Sequence, residues 1–377
     1  MRAHFGQAEA ISNFEFPKIT LPSAMPDASP SAPRGRGAAV NPDQRFAQMH
    51  VEYDPGEAPE RVPTKFFIDH SSTIISRHSS PDLPFEASLN PYRGCEHGCA
   101  YCYARPTHEY LGFSSGIDFE SRIMVKENAA ALLRAELLKP GYKPCTLSLS
   151  GVTDPYQPAE KRLRITRGCL EVLAEARHPV VLITKNNLIT RDADLLGELA
   201  RFNATAAYIS ITTLDPELAR KLEPRASSPA MRLEAIRTLH AAGIPVGVST
   251  APIIPGLNDS EIPKIIEAAQ AAGAQFAGYT VVRLPFAVKD IFATWLEEHF
   301  PGSKEKILAR ITETQGQTMS HGDFGTRLKG EGIWSQQIAA LFKTSLRRAG
   351  MLHRRPEPTT AHFKRPRDPS GQMELFE

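Results

Sequence analysis

The sequence predicts an α/β protein, a partial (β/α)6 parallel barrel with a disordered N-terminal extension and a small helical C-terminal region. Three observations predict it. From Pro84 onward, short β-branched or apolar runs alternate with longer helical stretches. The alternation repeats six times, and consecutive strand–helix units favour a parallel sheet covered by helices. The repeat is also bounded. Residues 1–64 hold nine of the 31 prolines and keep neither a helical nor a strand period, and after Pro301 the alternation ends. An open doubly wound sheet is the competing arrangement. In either case functional groups belong at the carboxyl ends of the strands.

The strand-like runs are Phe85–Asn90, Thr146–Ser150, Val180–Thr184, Ala206–Thr212, Pro245–Ala251 and Phe276–Val282. Helical segments are expected near Lys126–Lys139, Thr166–Arg177, Arg191–Phe202, Pro229–Ala242, Asp259–Ala272 and Ala287–Phe300, then at Lys304–Thr314 and Gln336–Ala349. Asp215-Pro216-Glu217 reads as an N-cap followed by proline at the first helical position, and Asn258 reads as a second cap. Gly243 and Gly273 stand where helices should stop. Four regions follow: a Pro-rich, mostly disordered extension (1–64) with local order near Val62–Ile75, a barrel core (65–300), a helical extension (301–350) and a basic flexible tail (351–377).

Composition narrows the function classes. Forty-four Lys and Arg against 42 Asp and Glu give a net charge of +2, so bulk charge names no polyanionic partner. Five cysteines in 377 residues make no disulfide framework, and an odd number cannot all pair. No apolar run approaches the ~18 residues of a membrane span, and the N-terminus lacks the apolar core of a secretory signal. A cytoplasmic enzyme or binding protein is expected, with no membrane partner.

The strongest signal is Cys95-Glu-His-Gly-Cys99-Ala-Tyr-Cys102, directly after the first strand. Three thiols so close can converge on one metal centre, and Gly94 and Gly98 let the backbone fold around it. Three thiolates on a four-iron cubane leave one iron open, whereas electron-transfer clusters normally hold four cysteines. Cys145 and Cys169 lie at no standard local spacing. Two alternatives stand beside the cluster: zinc with His97 or His108 as fourth ligand, and three buried, unliganded thiols.

The three-cysteine spacing with Tyr101 before the third cysteine resembles the radical S-adenosylmethionine (SAM) superfamily. The surrounding Asn90-Pro-Tyr-Arg-Gly-Cys-Glu-His-Gly-Cys-Ala-Tyr-Cys-Tyr-Ala-Arg105 is similar to its spore photoproduct lyase-like, DNA repair photolyase-like branch, from about residue 61 onward. The resemblance implies a barrel of radical SAM type and a [4Fe-4S] cluster on Cys95, Cys99 and Cys102. It also implies SAM bound at the open iron, and an external one-electron donor. In that superfamily an electron from the cluster cleaves SAM to methionine and a 5′-deoxyadenosyl radical, which abstracts hydrogen from substrate.

The same resemblance suggests the cofactor shell. Ser150, Thr153 and Asp154 occupy the place of the segment that receives the SAM ammonium. Lys185 and Ser210 would bind its carboxylate, and Arg232 would bind SAM or pair with a helix carboxylate. Arg283 ends the sixth strand, where it would reach substrate or close an ion pair. One departure stands out. Spore photoproduct lyases carry a cysteine near the end of the second strand that returns hydrogen to the product radical, and here Ser148-Leu-Ser-Gly151-Val-Thr-Asp154 has none. Tyr101, Tyr103 and Tyr156 are the candidate replacements, against a bland reading as aromatic packing.

Residues 343–368 carry eight Lys and Arg against Glu357 and Asp368, a pattern suited to a phosphate backbone. The final Gln372-Met-Glu-Leu375-Phe376 resembles the motif by which bacterial repair and replication proteins bind the DNA sliding clamp. Gln372 would be its polar anchor, and Leu375 and Phe376 its apolar plugs. The leading expectation is a radical SAM enzyme acting on nucleic acid. The rivals are a radical SAM enzyme on a peptide or small metabolite, and a non-catalytic metal-bearing scaffold that binds nucleic acid or the clamp.

Overall fold

The computed structural model describes residues 32–42, 45–46, 62–83, 85–149, 151–317, 324–351 and 355–367. Ten strands form in chain order: β1 (Lys65–Ile68), β2 (Ile75–Arg77), β3 (Ala87–Leu89), β4 (Tyr92–Arg93), β5 (Arg122–Val125), β6 (Leu147–Leu149), β7 (Val180–Thr184), β8 (Thr205–Ser210), β9 (Val246–Ile253) and β10 (Phe276–Val281). The six expected runs become β3, β6, β7, β8, β9 and β10, each parallel to the next in that order. Their residues are largely buried, as a sheet with both faces covered requires.

Helices Ala129–Leu138, Ile165–Ala176, Ala193–Ala200, Pro229–Ala241, Ile262–Ala271 and Val288–His299 follow the strands in turn. Asp215 caps its helix as expected, its carboxylate accepting from the Glu217 amide at 2.8 Å. Gly243 and Gly273 end theirs at φ +74° and +102°. Asn258 does not cap. Its side chain ties the β9 turn together, accepting from the Ile254 amide at 2.7 Å and donating to the Thr212 carbonyl at 2.8 Å.

The barrel is open between β10 and β3, and β2 runs antiparallel on the far edge. Residues 324–330 strap this gap. Leu328 accepts from the Val281 amide at 2.9 Å, Arg327 pairs with Asp82 at 2.6 Å, and Lys329 reaches the Tyr279 carbonyl at 2.9 Å.

Two expectations about the chain ends change. Within 1–64, residues 32–42 are not loose, because the Gly37 and Ala38 amides each donate to the buried Glu120 carboxylate at 3.0 Å. A methyl added at Gly37 would lie 1.7 Å from the Gly98 carbonyl, so only glycine allows this approach. In the tail, residues 355–367 dock on the opposite end of the barrel, where strands begin and helices finish. Thr359 donates to the Asn203 carbonyl at 2.8 Å and Lys364 to the Ala176 carbonyl at 3.0 Å. Phe363 sets its ring against His178 at 5.4 Å. The motif at Gln372, Leu375 and Phe376 lies outside the described residues.

Gly37→Ala should lose about 1–3 kcal/mol through overpacking against backbone, read as a lower urea midpoint and faster proteolysis near Arg36. A second expectation concerns acid. His178 is fully buried, its Nε2 accepting from the Tyr142 hydroxyl at 2.8 Å, and burial pushes its pKa down to about 4. The unfolded chain therefore takes up this proton first. Stability should fall as pH drops from about 6.5 toward 4, by on the order of 1–2 kcal/mol at pH 5. His178→Gln should remove part of that slope from the urea midpoint measured against pH.

Candidate metal centre and cofactor site

The cysteine loop leaves β4 through Gly94 at φ +80°, where a Cβ would sit 2.8 Å from the Phe119 carbonyl. Its shape is set by a buried arginine. Arg105 donates to the Cys99 carbonyl through Nε at 3.0 Å and Nη2 at 2.8 Å, and to the Gly116 carbonyl at 2.9 Å. The same guanidinium pairs with Glu120 at 2.5 Å, so the loop and the N-terminal segment share one carboxylate. Cys95 and Cys99 are buried and Cys102 is half-buried. Burial raises all three thiols, and Glu223 further raises Cys99 while Lys185 and Arg232 lower it. Cations thus stand where thiolate charge would develop.

The three thiols are a donor set that fits an iron–sulfur cube with one iron left open. Of the two histidines considered for zinc, His97 has both ring nitrogens engaged, whereas the buried Nδ1 of His108 has no hydrogen-bond partner among the described residues. His97 places Nδ1 3.3 Å from Asp154 and accepts at Nε2 from Asn186 at 3.2 Å. His108 bonds the Arg122 carbonyl through Nε2 at 2.8 Å and packs between Phe113 and Phe119.

Above the loop, the residues singled out by sequence divide into braces and open groups. Thr153 donates to the Gly94 carbonyl at 2.6 Å. Asp154 accepts from the Thr184 hydroxyl at 2.7 Å, the Lys185 amide at 2.8 Å and the Tyr156 amide at 2.9 Å. Burial alone would raise this carboxyl, but His97 and these donors hold it below its ordinary value. Asp154 therefore braces β6 against β7. Arg232, only 1% exposed, spends its donors on the Ser227 carbonyl at 2.7 Å, the Ser210 carbonyl at 3.0 Å and Glu223. It is the partner of the Glu223 carboxylate, which directly follows the Pro216–Leu222 helix. Ser150 lies outside the described residues.

Glu223 heads the family-like stretch that runs to Arg232 and Glu234, but the sequence assigns it no role of its own. It accepts from the Tyr101 hydroxyl, from Thr212 at 2.9 Å and from Arg232, with Lys185 at 3.8 Å. Burial would raise it, but Arg232, Lys185 and Tyr101 bring it down to about 2, so it stays ionised. Only its position in Glu223-Pro-Arg225, after a short helix, could have signalled a role.

The three tyrosines separate clearly. Tyr101 is tied to Glu223. Tyr156 is fully buried beside Asp192. Tyr103 is 49% exposed, donates to the Gly151 carbonyl at 2.6 Å and lies under the Arg283 guanidinium at 5.2 Å. Cys145 stands before β6, 3.5 Å from Arg77, at the end of the strand away from the loop.

An open parallel barrel with a three-cysteine loop at its carboxyl mouth defines a recognisable class. Residues 89–269 match the model of the Radical SAM superfamily, and this stretch of the chain belongs to it. The chain is 40% identical over 223 residues to an uncharacterized protein of Mycobacterium tuberculosis (strain H37Rv), a match covering 58% of this chain and 65% of that protein. It is 29% identical over 219 residues to an uncharacterized protein of Methanocaldococcus jannaschii, covering 58% and 78% of the two chains. The chain thus spans less than two thirds of its mycobacterial relative. A structure of spore photoproduct lyase complexed with dinucleoside spore photoproduct superposes with a TM-score of 0.52 at 14% identity, covering 75% of this chain and 78% of that one. That likeness establishes the fold. Among the described residues no helix is long and apolar enough to cross a membrane.

Substituting Cys95, Cys99 or Cys102 by alanine should abolish the brown absorption of protein reconstituted anaerobically with iron and sulfide. Cys169→Ala, in the apolar core, should keep the colour and lose only packing stability.

Proposed function

We propose that the protein is a radical SAM enzyme acting on nucleic acid, with Cys95, Cys99 and Cys102 holding a [4Fe-4S] cluster. The observation that carries the reading is the loop itself: three thiols within eight residues at the barrel mouth, two of them buried and the third half-buried. When bound, the cluster and SAM supply a 5′-deoxyadenosyl radical, and an external donor supplies the electron.

The chain's own residues bind and orient. Lys185 rises from the end of β7, its ammonium 3.2 Å from the Ala251 carbonyl and 15% exposed, so it retains donors for the SAM carboxylate. Ser210, at the end of β8, is held by Arg232 through its carbonyl and completes that side. Glu223 sets Lys185 and Tyr101 relative to each other, and Asp154 sets the Lys185 backbone. Tyr103 and Arg283 face the remaining opening. Arg283 is lowered by burial and by Arg327, against which Tyr103 and Asp82 act, and no hydrogen bond or close ion pair fixes it among the described residues. A cation held open there suits a phosphate or other anionic group of a substrate. Of the three tyrosines Tyr101 and Tyr156 are buried and Tyr103 is exposed, which supports Tyr103 as the group that returns hydrogen to a product radical once its hydroxyl leaves the Gly151 carbonyl.

The nucleic-acid substrate is supported by the family resemblance and by these open cations. A cytoplasmic setting agrees with the reduced cysteines that a cluster needs. The clamp-binding reading of Gln372, Leu375 and Phe376 rests on sequence alone.

Anaerobic protein with dithionite should release 5′-deoxyadenosine from SAM, and more of it when DNA or RNA is added. Lys185→Ala should weaken SAM binding about 10- to 100-fold, the loss expected for a charge-assisted hydrogen bond, while leaving the cluster absorption in place. A coloured protein that never cleaves SAM would overturn the enzymatic reading. Cleavage indifferent to nucleic acid would overturn the substrate.

A further inference from the structure

Four side chains form a continuous row on the rim of the barrel mouth. The Arg45 guanidinium lies 3.8 Å from the centre of the Phe286 ring and 5.2 Å from that of Phe46. Phe46 in turn stands 5.5 Å from Tyr110, with the rings tilted by 34°. Phe286 follows β10 and Tyr110 ends the short helix after the cysteine loop, so the row borders the candidate site. Its three rings are 58%, 59% and 72% exposed for Phe286, Phe46 and Tyr110.

Burial does not account for this arrangement. Rings exposed to that degree contribute little hydrophobic stability. Phe286 also adopts φ +52°, a left-handed conformation that bulky residues rarely accept. Strain that presents an aromatic ring to solvent gains nothing for the fold and is a mark of function. The acidic side chain touching the row, Glu109, is itself buried and ion-paired to Arg45. Aromatic faces interleaved with arginine match what unpaired bases on a phosphate backbone present, since every base offers a π face and arginine stacks as well as pairs.

We propose that the row Tyr110–Phe46–Arg45–Phe286 is a stacking platform for single-stranded nucleic acid at the mouth of the site. The proposal deepens the substrate reading above and rests on it. Bases lie on the exposed rings while Arg45 meets rings and phosphates, and the strand leads toward Arg283 and Tyr103. Recognition by stacking favours an unpaired strand over a duplex, whose base faces are already covered.

The test uses the full chain with its reconstituted cluster and fluorescein-labelled oligonucleotides of about 12 nucleotides, inside the ~4–16 nucleotide range of single-strand sites. DNA, RNA and duplex arms are read by anisotropy. Tyr110→Ala and Phe286→Gly should each weaken single-strand binding by about 5- to 100-fold, the loss of one stacked base. Phe286→Gly should hold or raise the melting temperature, because glycine accepts the positive φ. Wild-type protein that binds neither single strand overturns the substrate reading and the platform together. Wild-type binding that survives both substitutions overturns the platform alone, as does equal weakening on duplex. A wild-type dimer that both substitutions dissolve would assign the row to a second copy and overturn the proposal.

Discussion

The Glu223 carboxylate is the constraint on which the site depends. It is fully buried and ionised, and it joins Tyr101 of the cysteine loop, Thr212 after β8, Arg232 of the Pro229–Ala241 helix and Lys185 after β7. An isolated carboxylate at that depth would be prohibitively costly, and removing one partner of such a pair typically costs ~3–5 kcal/mol. The arrangement is therefore nearly all-or-none. If the loop moves, Glu223 loses Tyr101, and if the Lys185 strand end shifts, it loses a cation. A carboxylate with four partners from four segments turns three loosely connected strand ends into one rigid frame.

A second buried carboxylate works the same way on the other side of the loop. Glu120 pairs with Arg105, which grips the Cys99 carbonyl, and accepts the amides of Gly37 and Ala38. The cysteine loop is thus held by Glu223 from the barrel and by Glu120 from outside it. Buried polar groups that are fully satisfied stiffen a site, and those partly satisfied weaken it. Here Thr153, Asp154 and Arg232 each spend hydrogen bonds on the frame around the loop.

Charge is distributed by end. Residues 355–367 dock where the strands begin, with Arg367 donating its amide to Glu175, so that part of the basic tail is remote from the mouth. The cations at the mouth come instead from separate places in the chain: Arg45, Arg283 and Arg327. No charge run announces them, because each is isolated in sequence and meets the others only through the fold.

Much of the fold was legible because its physics is local. Six apolar runs bounded by caps and glycine stops can be placed from periodicity, and the three cysteines with their glycines lie within one short loop. The β1–β5–β4 sheet was not legible. Its strands are two to four residues long and pair across up to 60 positions, too short to carry a period. The fate of each polar candidate was equally hidden. A lysine, an aspartate and an arginine at strand ends look alike in sequence, and which one keeps a free donor depends on partners 30 to 90 residues away, as with His97 and Asn186 or Lys185 and Ala251. The sequence by itself determined the repeat and the three-cysteine loop, since these follow from spacing. Only the tertiary structure decided which charges are spent holding the frame, because that is settled by burial and by neighbours brought together from distant segments.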